Sequence, residues 1–247
     1  MNRVLATIQQ KCADNKKLLA VLIDPEKCNH LNLINLIPLL NKALPDFIFV
    51  GGSQHRSPFD EFILQLRRTV SVPVVLFPGD ATQFSKHAHA LLFLSLLSGR
   101  NAKYLIGQHV KSALKIHKSE LEVIPTAYVL IDGGVCSAVE LVSQTKPIPR
   151  TNNELIIATS LAGQMLGMQL VYLEAGSGAL VPVMSETIMH VKSHLSIPLI
   201  VGGGIKTSEQ LTNAFTGGAD LVVVGNVLEK NPEFLQELVG VRNKMNM

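Results

Sequence analysis

The chain has 247 residues, of which 47% are hydrophobic, and its formal net charge is only +3. This length suits one large core and is short for two, so we predict a single domain over residues 1–247. No contiguous run of lysine or arginine indicates nucleic-acid binding or a polybasic membrane anchor. Three cysteines without paired spacing, and an N-terminal segment unlike a signal peptide, favour a cytoplasmic protein.

The longest uncharged stretch, residues 155–173, reaches the length of a membrane-spanning helix. Polar residues and glycines interrupt it, and it runs into the sequence LVYLEAGSG, which is typical of a strand that enters a glycine-rich loop. We therefore predict a buried helix followed by a buried strand, and no integral membrane segment.

Eight short apolar segments recur along the chain, and most end in glycine, serine or an acidic residue. They cover residues 18–24, 47–53, 74–80, 91–95, 126–134, 170–178, 199–204 and 221–226. Each is apolar on both faces, as expected of parallel strands that are covered on both sides. Helix-like segments alternate with them, notably at residues 30–44, 101–119, 208–219 and 231–245. In the last of these, Asn231 is placed to cap the helix and Pro232 to open its first turn.

This alternation predicts an α/β protein with a parallel sheet. Eight strand–helix units in about 250 residues match a (β/α)8 TIM barrel, and a helix before the first strand is placed to plug its bottom. The alternative is an open doubly wound sheet. Eight units, and the lack of a GxGxxG motif after the first strand, favour the barrel.

Glycine-rich loops follow the predicted seventh and eighth strands. Gly203 and Gly204 lie in the sequence VGGGIKTS, and Gly225 and Asn226 follow the eighth strand. Glycines let backbone N–H groups approach a phosphate closely, and TIM barrels bind phosphate at these two loops. The sequence therefore predicts a phosphate site there, with simple tight turns as the alternative.

Glu174 ends the predicted sixth strand, beside a loop rich in glycine and serine. Apolar neighbours would raise the pKa of its carboxyl, which favours a general base acting on a substrate hydroxyl. A buried glutamate paired with a lysine is the alternative.

Asp24 ends the predicted first strand and is a hard oxygen ligand suited to Mg²⁺, although a helix cap is an equal alternative. Ser53 could supply a second oxygen. Asp132 also ends a strand, and we rank it below Asp24. The histidine pairs 87/89 and 190/194 lack the further ligands of a zinc site, so we expect surface or core histidines.

The segments VLIDPEK, FVGGS, LFPG, SGRN, YLIGQHV, PTAYVLIDGG, YLEAGSGA, VGGGIKT and GADLVVVGN together resemble the geranylgeranylglyceryl and heptaprenylglyceryl phosphate synthase family. The resemblance covers all eight predicted strands, and the SGRN and YLIGQHV segments are similar to the second, longer group of that family.

The resemblance implies transfer of a long isoprenyl group, with geranylgeranyl expected, from its diphosphate to the C3 hydroxyl of sn-glycerol-1-phosphate. It implies Mg²⁺ at Asp24 and Ser53 and an ether-lipid precursor as the product, and the interpretation of Glu174 as the catalytic base fits this reaction. The residues it implies for glycerol phosphate binding are Tyr172, Leu173, Glu174, Ala175, Gly176, Ser177, Gly178, Gly203, Gly204, Gly225 and Asn226.

The isoprenyl chain needs an apolar groove, for which residues 91–97 and 104–106 are candidates, with barrel core as the alternative for the first segment. The resemblance also implies a homo-oligomer and leaves a peripheral membrane contact open. Two other functions remain alternatives. One is another phosphate-binding barrel enzyme, such as an isomerase, a synthase or an FMN enzyme, and the other is a non-catalytic barrel that binds a phosphorylated metabolite.

Overall fold

A computed structural model describes residues 3–28, 30–52 and 59–247, and it is a closed barrel of eight parallel strands. The strands are β1 (Leu18–Ile23), β2 (Phe47–Val50), β3 (Val74–Leu76), β4 (Ala90–Leu96), β5 (Glu122–Leu130), β6 (Leu170–Glu174), β7 (Leu199–Gly202) and β8 (Leu221–Val224). Each strand pairs with its neighbours in chain order, which confirms the (β/α)8 prediction.

Helices surround the barrel, and the first of them lies at its bottom. They are α1 (Val4–Ala13), α2 (His30–Ala43), α3 (Phe59–Thr69), α4 (Gln108–His117), α5 (Ala138–Ser143), α6 (Asn153–Met165), α7 (Ser185–His194), α8 (Ser208–Thr216), α9 (Asn226–Lys230) and α10 (Phe234–Met245). A π-helical turn, Lys103–Gly107, leads directly into α4. Within the described residues, no helix is both long and apolar enough to cross a membrane.

The barrel closes between β1 and β8. Leu18 pairs with Leu221, and the register continues to Val21 opposite Val224. The loops that follow these two strands therefore begin side by side at the carboxyl edge of the sheet. Asp24 follows β1 and Gly225 follows β8, so residues two hundred positions apart meet at the mouth of the barrel.

Two layers of apolar side chains fill the protein. Alternate strand residues point inward and fill the barrel, whereas the others pack between sheet and helices, as the two-sided burial of each strand predicts. Along β6, for example, Tyr172 belongs to the inner layer and Leu173 to the outer one. This alternation decides which residues at a strand end can reach the mouth.

The first helix closes the bottom of the barrel, as predicted. Val4 and Ile8 of α1 are buried in the inner layer. The carboxylate of Glu122, at the start of β5, accepts hydrogen bonds from the backbone N–H groups of Val4 at 2.7 Å and Leu5 at 3.2 Å. This carboxylate satisfies donors that the first turn of a helix leaves without partners.

Several boundaries differ from the sequence prediction. The predicted helix 101–119 is divided into the π-helical turn and α4, and the predicted strand 126–134 begins earlier, at Glu122. The last helix begins at Phe234, and the side chain of Asn231 does not cap it, because the five-residue helix α9 ends one residue before Asn231. The stretch 155–173 is mainly α6 followed by β6, as predicted.

Candidate active site

One cavity of about 1020 Å³ opens at the carboxyl edge of the strands. Its polar end, as we call it here, is formed by Asp24, Glu174, Ser177, Gly178, Gly203, Gly204, Gly225 and Asn226. Its apolar end is formed by Phe77, Leu91, Leu92, Phe93, Leu94, Leu96, Tyr104, Ile116, Val139, Leu141 and Val142. A ligand that fills this cavity would therefore contact polar loops at one end and a hydrocarbon-like wall at the other.

Glu174 is buried at the polar end and is the last residue of β6. Burial raises the pKa of its carboxyl to about 7, although the Gly176 N–H that donates to Oε1 at 2.7 Å acts in the opposite direction. A carboxyl with a pKa near neutrality exists in both protonation states at physiological pH. Glu174 can therefore accept a proton from a hydroxyl held beside it.

Three aromatic rings lie below Glu174 and fill the upper part of the barrel. The ring of Tyr172 lies 5.3 Å from those of Phe77 and Tyr128, measured between centroids. The Tyr172 hydroxyl is buried and has no hydrogen-bond partner of good geometry among the described residues, yet it is close enough to Glu174 to lower the pKa of that carboxyl. These rings exclude water from one side of the carboxylate, which is the physical cause of its raised pKa.

The loop after β7 approaches Glu174 so closely that only glycine fits. A Cβ at Gly203 would lie 2.3 Å from Glu174 Oε1 and 2.7 Å from the backbone nitrogen of Gly176. Gly203 and Gly204 also have positive φ angles of +82° and +73°, which residues with side chains rarely adopt. No side chain therefore covers the backbone of this loop beside the carboxylate. Backbone N–H groups in such a loop are accessible to a phosphate.

The loops after β6 and β8 are joined by a hydrogen bond. Ser177 Oγ donates to Asn226 Oδ1 at 3.1 Å, and Gly178 lies against the same asparagine. Asn226 is also the first residue of α9. The structure thus brings Glu174, Ser177, Gly178, Gly203, Gly204, Gly225 and Asn226 around one end of the cavity.

Asp24 lies at the other side of the polar end. Its Oδ1 accepts from the Glu26 N–H at 3.0 Å, and its Oδ2 lies 3.9 Å from Lys27 Nζ. The backbone of Gly52 faces the carboxylate directly, since a Cβ there would lie 2.7 Å from Asp24 Oδ1. Asp24 therefore lies in the cavity, and its hydrogen bond to Glu26 belongs to a turn, whereas the alternative prediction was a helix cap.

The described part of the chain contains no cluster of three or more His, Cys, Asp or Glu side chains that could hold a metal. Mg²⁺, however, is commonly held by one or two carboxylates, with the remaining positions taken by water and substrate phosphates. A single aspartate in a cavity that also offers phosphate-type loops fits this donor set. Ser53, the predicted second oxygen, lies outside the described residues.

Gln83 is a buried residue of the cavity that the sequence analysis missed. Its Nε2 donates to the Gly52 carbonyl at 2.7 Å, and its Oε1 accepts from the N–H groups of Gly52 at 3.3 Å and Gly79 at 3.1 Å. One amide thereby holds the loop after β2 against the loop after β3, beside Asp24. A lone glutamine in a polar loop carries no motif that would have marked it.

The two segments predicted as groove walls contribute in part to the apolar end, and Ser95, Leu97 and Leu105 do not line it. Phe93, Leu94 and Leu96 of β4 line the cavity, and so does Tyr104, whose hydroxyl donates to the Val142 carbonyl at 3.0 Å. Ile106 does not line the cavity, because its side chain is 58% exposed on the opposite face of the π-helical turn.

The polar side chain of His109 interrupts this apolar wall. His109 of α4 is buried, its Nε2 lies 3.2 Å from Ser95 Oγ, and its ring meets that of Phe93 edge-on at 4.3 Å. Burial lowers the pKa of His109, so the ring is neutral at physiological pH. Ser95 lies within the segment 91–97 that was predicted as a groove wall, whereas no sequence motif marks His109.

Some predicted residues lie elsewhere. The side chains of Leu173 and Ala175 point into the outer layer between sheet and helices, because they alternate with Tyr172 and Glu174 along the chain. Gly176 contributes its N–H to Glu174 without lining the cavity. Asp132 also lies outside the cavity, where its carboxylate accepts from the Gly134 N–H at 2.8 Å and faces Arg150 at 3.4 Å.

The paired histidines have structural partners. His89 Nδ1 accepts from the Val74 N–H at 2.9 Å, and His87 lies 3.6 Å from Asp60. His194 Nδ1 lies 2.8 Å from the carbonyl of His190 on the same helix. These contacts agree with the prediction of surface or core histidines.

A model of the PcrB family matches residues 12–242. Geranylgeranylglyceryl phosphate synthase from Zunongwangia profunda is 52% identical over 235 residues, which cover 95% of this chain and all of that protein. The protein of the same name from Pyrococcus abyssi is 39% identical and covers 93% of this chain and 91% of its own.

Among solved structures, (S)-3-O-geranylgeranylglyceryl phosphate synthase from Thermoplasma acidophilum in complex with sn-glycerol-1-phosphate superposes with a TM-score of 0.90. It is 33% identical, and the match covers 99% of this chain and 100% of that one. The sequence and structural matches extend over nearly the whole barrel. This chain therefore belongs to the PcrB family and is a relative of the geranylgeranylglyceryl phosphate synthases.

Proposed function

We propose that this protein is a prenyltransferase that joins a long isoprenyl group to the C3 hydroxyl of sn-glycerol-1-phosphate and releases diphosphate. The observation that carries the proposal is a cavity in which a buried glutamate and glycine loops without side chains share one space with an extended apolar wall. An isomerase or a phosphometabolite sensor needs the polar end alone. The names and extent of the relatives support the same activity.

The acceptor is proposed to bind at the polar end. Gly203, Gly204 and Gly225 would receive the phosphate, and Asn226 and Ser177 can donate or accept hydrogen bonds to glycerol oxygens. This placement brings the glycerol hydroxyl toward Glu174. Tyr172 would support the carboxylate from below, whereas Leu173 and Ala175 contribute only through the backbone that shapes this loop.

The reaction needs one proton acceptor. As the acceptor oxygen attacks C1 of the isoprenyl group, a carbon–oxygen bond forms, the bond from C1 to the diphosphate oxygen breaks, and the hydroxyl proton moves to Glu174. A carboxyl with a pKa of about 7 is suited to this role near neutral pH. The apolar end would hold the isoprenyl chain and exclude water, so that hydrolysis of the donor does not compete.

Mg²⁺ is the proposed cofactor, with Asp24 as its carboxylate ligand and Ser53 as a further candidate oxygen. When bound, the ion would neutralise negative charge on the departing diphosphate. Gln83 would contribute by fixing Gly52 against Asp24. We also propose that the protein is cytoplasmic and forms a homo-oligomer. Analytical ultracentrifugation of the purified protein would test the oligomeric state.

The decisive experiment measures diphosphate release by the purified protein with Mg²⁺, geranylgeranyl diphosphate and either sn-glycerol-1-phosphate or its mirror image. We expect release only with the first enantiomer, and a rate about 100- to 10,000-fold lower in Glu174→Gln, because the base is lost. The control is Glu186→Gln, which alters an exposed glutamate of α7 and should leave the rate unchanged. Failure of both acceptors with donors of several lengths would refute the proposal and leave another phosphate-binding barrel enzyme.

A further inference from the structure

Positive charge is concentrated in one part of the chain. Residues 81–119 contain six lysines and arginines and no aspartate or glutamate, although the whole chain has 22 basic and 19 acidic residues. The basic residues are spaced apart along the segment, so they do not form a contiguous run. Three of them, Lys103, Lys111 and Lys118, are exposed on the π-helical turn, on α4 and at the end of α4.

The same outer face exposes large apolar side chains. Ile106, Val110 and Leu114 follow one another at four-residue spacing and are 58%, 68% and 76% exposed. Residues four apart lie on one side of a helix, so these three form a continuous apolar stripe with lysines beside it. We call this surface, formed by Lys103, Ile106, Val110, Lys111, Leu114 and Lys118, the α4 face.

The opposite side of α4 belongs to the cavity. His109, Ser112 and Ile116 are buried there and line the apolar end. A single helix therefore separates the apolar end of the cavity from the α4 face. The outer surface of α4 combines an apolar stripe with lysines and no acidic residue, and both features are found in helices that lie in a membrane interface.

We propose that the α4 face docks on an anionic lipid surface. Lysines beside an apolar stripe attract acidic headgroups while the stripe enters the acyl boundary, and each lysine near such a surface strengthens binding about fivefold. A second copy of the chain suits this face poorly. A two-fold contact centred on this face would bring its lysines close to the lysines of the other copy, and α4 itself carries no acidic residue to neutralise them.

Docking on lipid does not depend on the proposed function; only the advantage of docking to the enzyme rests on it. A long isoprenyl diphosphate partitions into membranes, and docking through α4 would place the apolar end of the cavity beside the layer that contains this donor. Lipid binding itself requires no catalysis, so it can be measured whether or not the proposed reaction occurs.

The test is co-sedimentation of the full-length protein with vesicles of phosphatidylcholine containing phosphatidylglycerol, and with vesicles of phosphatidylcholine alone. We expect binding to the first and about tenfold weaker binding to the second. Lys111→Glu combined with Lys118→Glu should reduce binding to the anionic vesicles at least about tenfold, and Val110→Ser combined with Leu114→Ser should do the same. These side chains are exposed and line no part of the cavity, so both variants should fold and should retain diphosphate release from a detergent-solubilised donor.

Matched controls alter the same residue types elsewhere. Lys42→Glu on α2 and Leu166→Ser after α6 both change exposed side chains, and each should bind vesicles like the unmodified protein. Equal binding of all variants, or no binding by the unmodified protein, would overturn the proposal. If no protein bound vesicles and the α4 variants formed smaller oligomers than the unmodified protein in ultracentrifugation, the α4 face would instead be a contact between copies of the chain. Failure of the proposed function would appear separately, as absence of diphosphate release without vesicles.

Discussion

The two ends of the cavity are built from different parts of the polypeptide. The polar end depends on backbone that carries no side chain, because Gly203 and Gly204 leave no room for one beside Glu174. The apolar end consists of side chains from β4, α4 and α5, such as Leu94 and Val139, which could be exchanged for others of similar size. Backbone geometry tolerates few substitutions, whereas an apolar wall tolerates many, so the two ends should respond to mutation very differently.

The largest expected effect is that of Gly203→Ala. The new methyl group would meet Glu174 and Gly176 at distances no Cβ adopts, and φ is +82°. We expect the free energy of unfolding to fall by about 3 kcal/mol and kcat/KM to fall at least about 100-fold. Urea denaturation and the diphosphate release assay measure the two effects.

Gly167→Ala is the control for Gly203→Ala. Gly167 has a similar φ of +86°, but nothing lies within 4 Å of its Cβ position. It should lose about 1 kcal/mol of stability from backbone strain and no activity. If the two variants behaved alike, the close approach at Gly203 would be unimportant and the comparison between the two ends would fail.

The next effect concerns the stability of the polar end. The pKa of Glu174 is raised from 4.5 to about 7 in the folded protein, so folding favours the protonated carboxyl. This contribution to stability is complete below pH 4.5 and is lost as the pH rises through about 7, with a total near 3 kcal/mol.

Glu174→Gln removes the titration. We therefore expect its free energy of unfolding to exceed that of the unmodified protein by a margin that grows over this pH range. Urea denaturation at a series of pH values tests this, with the exposed Glu186→Gln as control. Parallel curves for the Glu174 variant and the unmodified protein would mean that the carboxyl has an ordinary pKa.

A reciprocal pair of variants gives the smallest effects. Leu94→Asn puts an amide in the apolar wall and should raise the KM for the isoprenyl donor about tenfold, with the KM for glycerol phosphate unchanged. Asn226→Ala removes a polar partner and should raise the KM for glycerol phosphate, with the KM for the isoprenyl donor unchanged. Initial-rate measurements that vary one substrate at a time distinguish them. If each variant changed both KM values equally, the two substrates would not occupy separate ends.

The barrel and the polar end could be predicted because their signals are local in sequence. Eight apolar segments identify the strands, and the glycines and Glu174 stand directly at strand ends, where position in a barrel determines exposure to the mouth. The side chains of Leu173 and Ala175, which the resemblance assigned to glycerol phosphate binding, pack in the outer layer, because alternate residues of the chain face opposite sides there. Asp132 also ends a strand, yet its loop turns toward Arg150 and away from the cavity.

Other features depend on contacts between distant segments. Gln83 connects two loops through its amide, and His109 contacts Ser95 at the apolar end. No sequence motif marks Gln83 or His109. The positive charge of the α4 face is also not visible as a contiguous run of basic residues. Its lysines are separated by apolar residues and come together only on the surface of a helix.

The closure between β1 and β8 has a consequence for how the protein folds. Asp24 and Asn226 follow the two strands of this seam, so the polar end is complete only when segments some two hundred residues apart have paired. Contacts of such large sequence separation carry a high loop-closure entropy and tend to form late. A partly folded chain would therefore lack a functional mouth, and ligands that bridge the loops after β1 and β8 would stabilise the seam once it has formed.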